Sequence, residues 1–79
     1  MAKIEYEGYT LLALADFTFS YIEGHKQVNF YFDPGGVNTM VVSSKPVSCS
    51  DGVSQEDVTR ALDRLVTHLK SVGYKVIIS

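Results

Sequence analysis

Tryptophan is absent from this chain, cysteine occurs once, proline and histidine twice each, and no long hydrophobic run is present. Each shortage excludes something. A single thiol, Cys49, cannot close an internal disulfide, so folding does not depend on an oxidising compartment. His25, His68 and Cys49 are too few and too far apart in the chain for the three or four ligands that a metal site requires, so no metal and no cofactor are expected. The longest apolar stretch near the start, residues 11–15, falls far below the roughly 18 residues of a membrane span. Glu5 and Glu7 before it are wrong for the basic start of a signal peptide. The expectation is a soluble, cytoplasmic protein, complete from Met1 and without a membrane partner.

Basic residues are also scarce. Seven stand against nine acidic ones, giving a net charge of −2. That is the wrong sign for a protein that gains affinity by neutralising phosphates, which argues against direct nucleic-acid binding. The acids do not imitate a nucleic acid either, because Glu5, Glu7, Asp16, Glu23 and Asp33 are scattered and only Asp51, Glu56 and Asp57 cluster.

What is present is a balanced globular composition, 46% apolar and 20% charged, well away from the region of disordered chains. Seventy-nine residues make one domain, 1–79, with one small core, and at this size a partner subunit would add useful stability.

The clearest element lies near the end of the chain. Val58, Ala61, Leu62, Leu65, Val66, Leu69 and Val72 recur at helical spacing and form one apolar stripe. Ser54 stands at the N-cap position, Asp57 three residues on completes a capping box, and Val53 with Val58 have the spacing of a hydrophobic staple. Glu56 and Asp57 suit the positive end of the helix dipole, Lys70 the negative end, and Gly73 supplies a left-handed closing residue. The segments before this helix alternate polar and apolar residues as half-buried strands do: Lys3 to Glu7, Phe17 to Tyr21, Val28 to Phe32 and Asn38 to Ser43. Residues 9–15 read as a further strand. The apolar parity switches between Leu12 and Leu14 on one side and Phe17 and Phe19 on the other, which predicts a bulge at Ala15-Asp16. Tyr74 to Ile78 is a last strand, apolar on both faces and therefore placed inside the sheet. Together these elements predict an α+β fold. It is a small antiparallel sheet of four to five strands with a single amphipathic helix, about residues 54–72, packed on one face, in the order β-β-β-β-α-β.

Asp33-Pro34-Gly35-Gly36 invites comparison with a phosphate-binding glycine loop, but such a loop opens a helix and is followed by Lys and Ser or Thr. A β pattern follows Gly36 instead, and Pro-Gly at the central positions predicts a type II turn. The start of the helix at Gly52-Val53-Ser54 carries Glu56 and Asp57, which repel an anion.

No catalytic set emerges. Cys49 has no local signature of a nucleophile and reads as a small packed hydrophobe. Asp33 reads as a turn residue and Asp16 as the polar residue of a bulge. Arg60, Arg64 and His68 lie four apart, with Glu56 and Asp63 interleaved within ion-pairing reach, and read as a solvated helix face. The feature with functional content is the second face of the sheet. One helix covers one face, and alternation places Thr18, Ser20, Ile22, Asn29, Tyr31, Met40 and Val42 on the other. That set is a mixed face with apolar members, in a chain with five tyrosines, side chains common where protein surfaces meet.

The order of strands, then Cys49, then a capped helix and the closing Gly73 resembles the β-β-β-α-β domains of small antitoxins that neutralise a partner toxin, over the last half of the chain. A sheet followed by a helix is also similar to double-stranded-RNA-binding domains. The lysine-rich start of their second helix is replaced here by Gln55-Glu56-Asp57, which removes the RNA inference. These readings predict a non-enzymatic protein-binding module, a small inhibitor or neutraliser that docks on and blocks a larger protein. Phage-type anti-defence proteins and antitoxins are examples of the kind. The alternative is a homodimeric scaffolding protein whose second face binds itself.

Overall fold

The alternating segments become strands and the periodic segment becomes a helix, in a computed structural model that describes residues 3–14 and 16–79. In chain order the elements are β1 (Lys3–Tyr6), β2 (Tyr9–Leu14), β3 (Thr18–Glu23), β4 (Lys26–Gly36), β5 (Thr39–Val42), β6 (Ser48–Cys49), α1 (Gln55–Ser71) and β7 (Lys75–Ile78). The fold is α+β with a mostly antiparallel sheet, as the pattern predicts, but the sheet has seven strands rather than four to five. The strand that no alternating segment marks is the two-residue β6. β6 continues the line of β5 along the same edge of β4 after an outward bend at residues 44–47. Ser43, Val47 and Ser50 donate in turn to the carbonyls of Tyr31, Asn29 and Gln27.

The strand order is β1-β2-β3-β4-β5-β7. β7 is therefore an edge strand, not the interior strand its two apolar faces suggest, and it pairs with β5 in parallel. An antiparallel neighbour needs only a tight turn. A parallel one needs a crossover, and α1 is that crossover.

Local signals govern the helix. Ser54 and Asp57 form the predicted capping box, the Asp57 amide donating to Ser54 Oγ at 3.2 Å and the Ser54 amide to Asp57 Oδ2 at 2.9 Å. At the other end Gly73 adopts φ 100°, a conformation that costs a side chain dearly. The Gly73 amide donates to Lys70 O and the Tyr74 amide to Leu69 O, the paired bonds of a Schellman motif. The apolar stripe packs as predicted for Val58, Ala61, Leu65 and Leu69, which join Leu11, Phe19, Tyr21, Val28, Phe30 and Val42 in one core cluster. Val72 lies outside it and is exposed.

Two expected irregularities are placed differently. The switch of parity after β2 comes from a turn, because Leu14 pairs with Thr18 and Asp16 and Phe17 take φ values of 64° and 56°. Ala15, the other half of the predicted bulge, lies outside the described residues. Asp33-Pro34-Gly35-Gly36 is not the turn. It is the far end of the long strand β4, and the chain reverses at Val37-Asn38 between paired Gly36 and Thr39. Pro34 is tolerated there because the Phe32 amide, two residues earlier, makes the last bond to the β3 side, donating to Phe17 O at 2.9 Å. The missing N–H of Pro34 faces the same way, past the end of β3.

The bulge is at Gly35, between the pairs Pro34↔Met40 and Gly36↔Thr39. A Cβ on Gly35 would meet Val41 Cγ2 at 2.8 Å, so the crowded inner side of the bulge requires glycine. The extra residue reverses the faces of β5 relative to uninterrupted alternation. Met40 and Val42 consequently point to the helix side, with Val42 fully buried. They do not lie on the second face, where sequence alternation puts them.

Candidate functional site

Two regions gather polar and aromatic side chains, one on each side of the sheet. Under α1, a chain of contacts ties the helix to the strands. Lys26 Nζ donates to Asp57 Oδ2 at 2.9 Å, and Arg60 Nη2 donates to Asp57 Oδ1 at 2.6 Å. Arg60 also grips Glu23 through Nε and Nη2 at 3.0 and 3.2 Å. Tyr21 Oη donates to Glu23 and accepts from Arg64 Nη1 at 2.7 Å. The Arg64 guanidinium lies 4.4 Å from the centroid of the Tyr9 ring. Tyr9 stacks on Tyr6, whose hydroxyl bonds His68 Nδ1 at 2.6 Å. Arg60, Arg64 and His68 are thus not a solvated face paired with Glu56 and Asp63. Apart from Asp57 on the helix itself, their partners are the strand residues Glu23, Tyr21, Tyr9 and Tyr6, brought within reach by packing.

The electrostatics follow from this wiring. The Ser54 backbone N–H, then Lys26, then Arg60 hold the Asp57 carboxyl far below the ordinary aspartate range. The Tyr21 hydroxyl, then Arg60, lower that of Glu23. Burial, reinforced by the bond to Glu23, raises the Tyr21 phenol. Every charge here is answered by a neighbour, and among the described residues no buried side-chain nitrogen or oxygen lacks a hydrogen-bond partner. The cluster fastens helix to sheet.

A carboxyl depressed on folding contributes stability above its unfolded pKa, near 4, and that contribution is lost as pH falls. Urea unfolding is therefore expected to show lower stability at pH 3 than at pH 6. Asp57→Asn should flatten that difference, leaving the smaller share due to Glu23. An unchanged acid limb in the variant would show that Asp57 is not held as described.

The thiol does not join this cluster. Cys49 is exposed, beside a groove of about 530 Å³ between Ser44–Pro46 and the start of α1, lined also by Val53, Ser54 and Val58. His68 is engaged with Tyr6 near the opposite end of the helix. Among the described residues no three His, Cys, Asp or Glu side chains gather as metal ligands do.

On the opposite face, among the described residues, no helix covers the sheet. The registers place Leu12 and Leu14 of β2, Thr18, Ser20 and Ile22 of β3, Gln27, Asn29 and Tyr31 of β4, Val41 of β5 and Ile77 of β7 there. Of the residues predicted for this face, Thr18, Ser20, Ile22, Asn29 and Tyr31 are present. Met40 and Val42 are replaced by Val41 and Ile77.

The polar members bond one another. Gln27 Nε2 donates to Ser20 Oγ at 2.7 Å and to Asn29 Oδ1 at 3.2 Å, and Asn29 Nδ2 donates to Ser48 Oγ at 2.8 Å. Ser20 is fully buried as a result, although it faces the uncovered side. Apolar side chains share the face with this ladder: Leu12 and Leu14 on one side of Thr18, and Tyr31, Val41 and Ile77 on the other, with Asp33 opposite Val41 and with Tyr31 and Ile77 each 45% exposed. Pairing of β2 with β3 is the signal that brings in Leu12 and Leu14, since residues directly opposite in a ladder share a face.

No family model, no curated protein and no solved structure matches the chain. Among the described residues no helix is long and apolar enough to cross a membrane.

Proposed function

We propose that the chain is a non-enzymatic protein-binding module that docks on, and blocks, a larger protein through the uncovered face of its sheet. The observation that carries this reading is the presence of Leu12, Leu14, Tyr31, Val41 and Ile77 on one uncovered face with a polar ladder whose members already bond one another. A partner covering this face removes apolar surface from water without stranding the ladder's donors, whose loss would otherwise cost affinity. The mixture is that of a non-obligate interface, which is little more apolar than the rest of a protein surface. Tyr31 supplies a rigid amphipathic ring at its centre, the kind of side chain that dominates binding energy.

The test is a photoreactive phenylalanine analogue at position 31, compared with the same analogue at position 70, where Lys70 is exposed on α1. Irradiation in the cells that make the protein is expected to give a discrete adduct with a different polypeptide from position 31 and none from position 70. Adducts of equal yield from both positions, or none from either, would overturn the assignment of this face. An adduct from position 31 of only twice the chain mass would mean that the face binds its own copy.

A further inference from the structure

We propose that β7 is a dimerisation edge: two copies of this chain pair antiparallel along Lys75–Ile78 and join their sheets into one. This inference shares only Ile77 with the docking face, whose other members edge pairing leaves uncovered.

The backbone sets the register. Peptide groups alternate in direction along a strand. The Lys75 amide donates to Asn38 O at 2.7 Å and the Ser79 amide to Val42 O at 3.0 Å, while Ser79 O accepts from the Ser44 amide. Residues 75, 77 and 79 thus turn their peptide groups to β5, and those of Val76 and Ile78 point outward. Among the described residues no strand lies beyond them. A second β7 related by a two-fold axis through Ile77 sets Val76 opposite the copy's Ile78 and the reverse. These are two hydrogen-bonded pairs flanking a non-hydrogen-bonded Ile77 pair, the position where side chains approach closest.

The side chains favour this same arrangement. Ile77 and Ile78 are 45% and 47% exposed at the edge, and Ile78 lines a groove of about 300 Å³ with Leu62 and Val66 of α1. The two-fold pairing sets every apolar side chain of β7 opposite another, and Lys75 opposite Ser79, with no like charges facing. An isologous interface requires that self-complementarity of one patch. The two edges of the sheet also differ. Exposed edges are ordinarily protected by charge, proline or bulges. β1 carries the Lys3–Glu5 ion pair on its outer strand, whereas β7 has no proline and no bulge, and its only charge is Lys75.

Sedimentation equilibrium over a concentration series is expected to give a mass of twice the 8.7 kDa chain. Ile78→Pro removes an outward N–H and leaves the β5 ladder intact, so it should weaken self-association roughly tenfold or more, the effect of two lost hydrogen bonds. In a Cys49→Ser background, Ile77→Cys should oxidise readily to a linked dimer and Lys75→Cys should not. The melting curve of each variant reports whether it is folded, and should Ile78→Pro fail to fold, the cysteine pair decides. A wild type that stays monomeric throughout the series overturns the proposal. So does a dimer indifferent to Ile78→Pro, or equal crosslinking through the two cysteines.

Discussion

Val42→Lys is expected to leave the protein without a cooperative unfolding transition, while Val41→Lys, one residue away, should still fold. Val42 is fully inaccessible and belongs to the core with Phe30 and Leu65. An unpaired ammonium in that setting costs several kcal/mol. A chain of this size holds only about 4–12 kcal/mol of stability in total. Val41 lies on the opposite face, across from Asp33, where a lysine can reach solvent and a carboxylate. Its cost is the loss of one half-buried valine, about 1 kcal/mol. Urea unfolding followed by circular dichroism separates the two cases. If Val41→Lys were the variant that failed, the bulge at Gly35 would be absent and β5 would present its other face to α1.

That pair of residues also marks where sequence reading stops. Alternation along Asn38 to Ser43 correctly finds a strand, because a strand needs only the period. Which face points inward depends on the pairing with β4, and a single unpaired residue, Gly35, reverses it. Gly35 has no side chain with which to announce itself, and Pro34-Gly35 is equally good chemistry for a turn.

The helix was readable for the converse reason. Ser54, Asp57 and Gly73 act within a few residues of their own position, so their spacing contains the whole interaction. Arg60 has one local partner, Asp57, but its other partner Glu23, and the partners Tyr21 of Arg64 and Tyr6 of His68, lie in strands far away in the chain. Sequence spacing points to the local candidates Glu56 and Asp63, neither of which is a partner of these side chains. The second sheet face falls between these cases. β3 and the start of β4 were legible because the chain turns at Gly24-His25 between paired Glu23 and Lys26, which fixes their relative parity, and the two strands beyond the bulge were not.

Phe30→Ala should remove a large share of the stability that the protein has. Phe30 sits fully buried in the middle of β4, paired across the sheet with Phe19, and α1 packs over the same face. Truncating a buried phenylalanine costs about 3–5 kcal/mol, part from lost transfer energy and part from the cavity left behind. The rigid, hydrogen-bonded backbone of a central strand cannot collapse to fill the space. Phe30→Leu keeps much of the volume and should cost about 1.5 kcal/mol or less. Denaturant midpoints for the pair report the difference directly. Equal midpoints for alanine and leucine would mean that α1 settles into the space and that the core is looser than its burial indicates.

The unequal edges of the sheet bear on how far it can extend. A strand edge that accepts a neighbour on both sides of a sheet propagates, and propagation of that kind is the route to fibres. Here the polypeptide runs from a charged outer strand, β1, to an apolar one, β7. Joining β7 to its own copy consumes the edge that invites addition and leaves a charged strand at each end of the enlarged sheet. Growth by this route therefore terminates at two subunits, and the geometry that permits association also limits it.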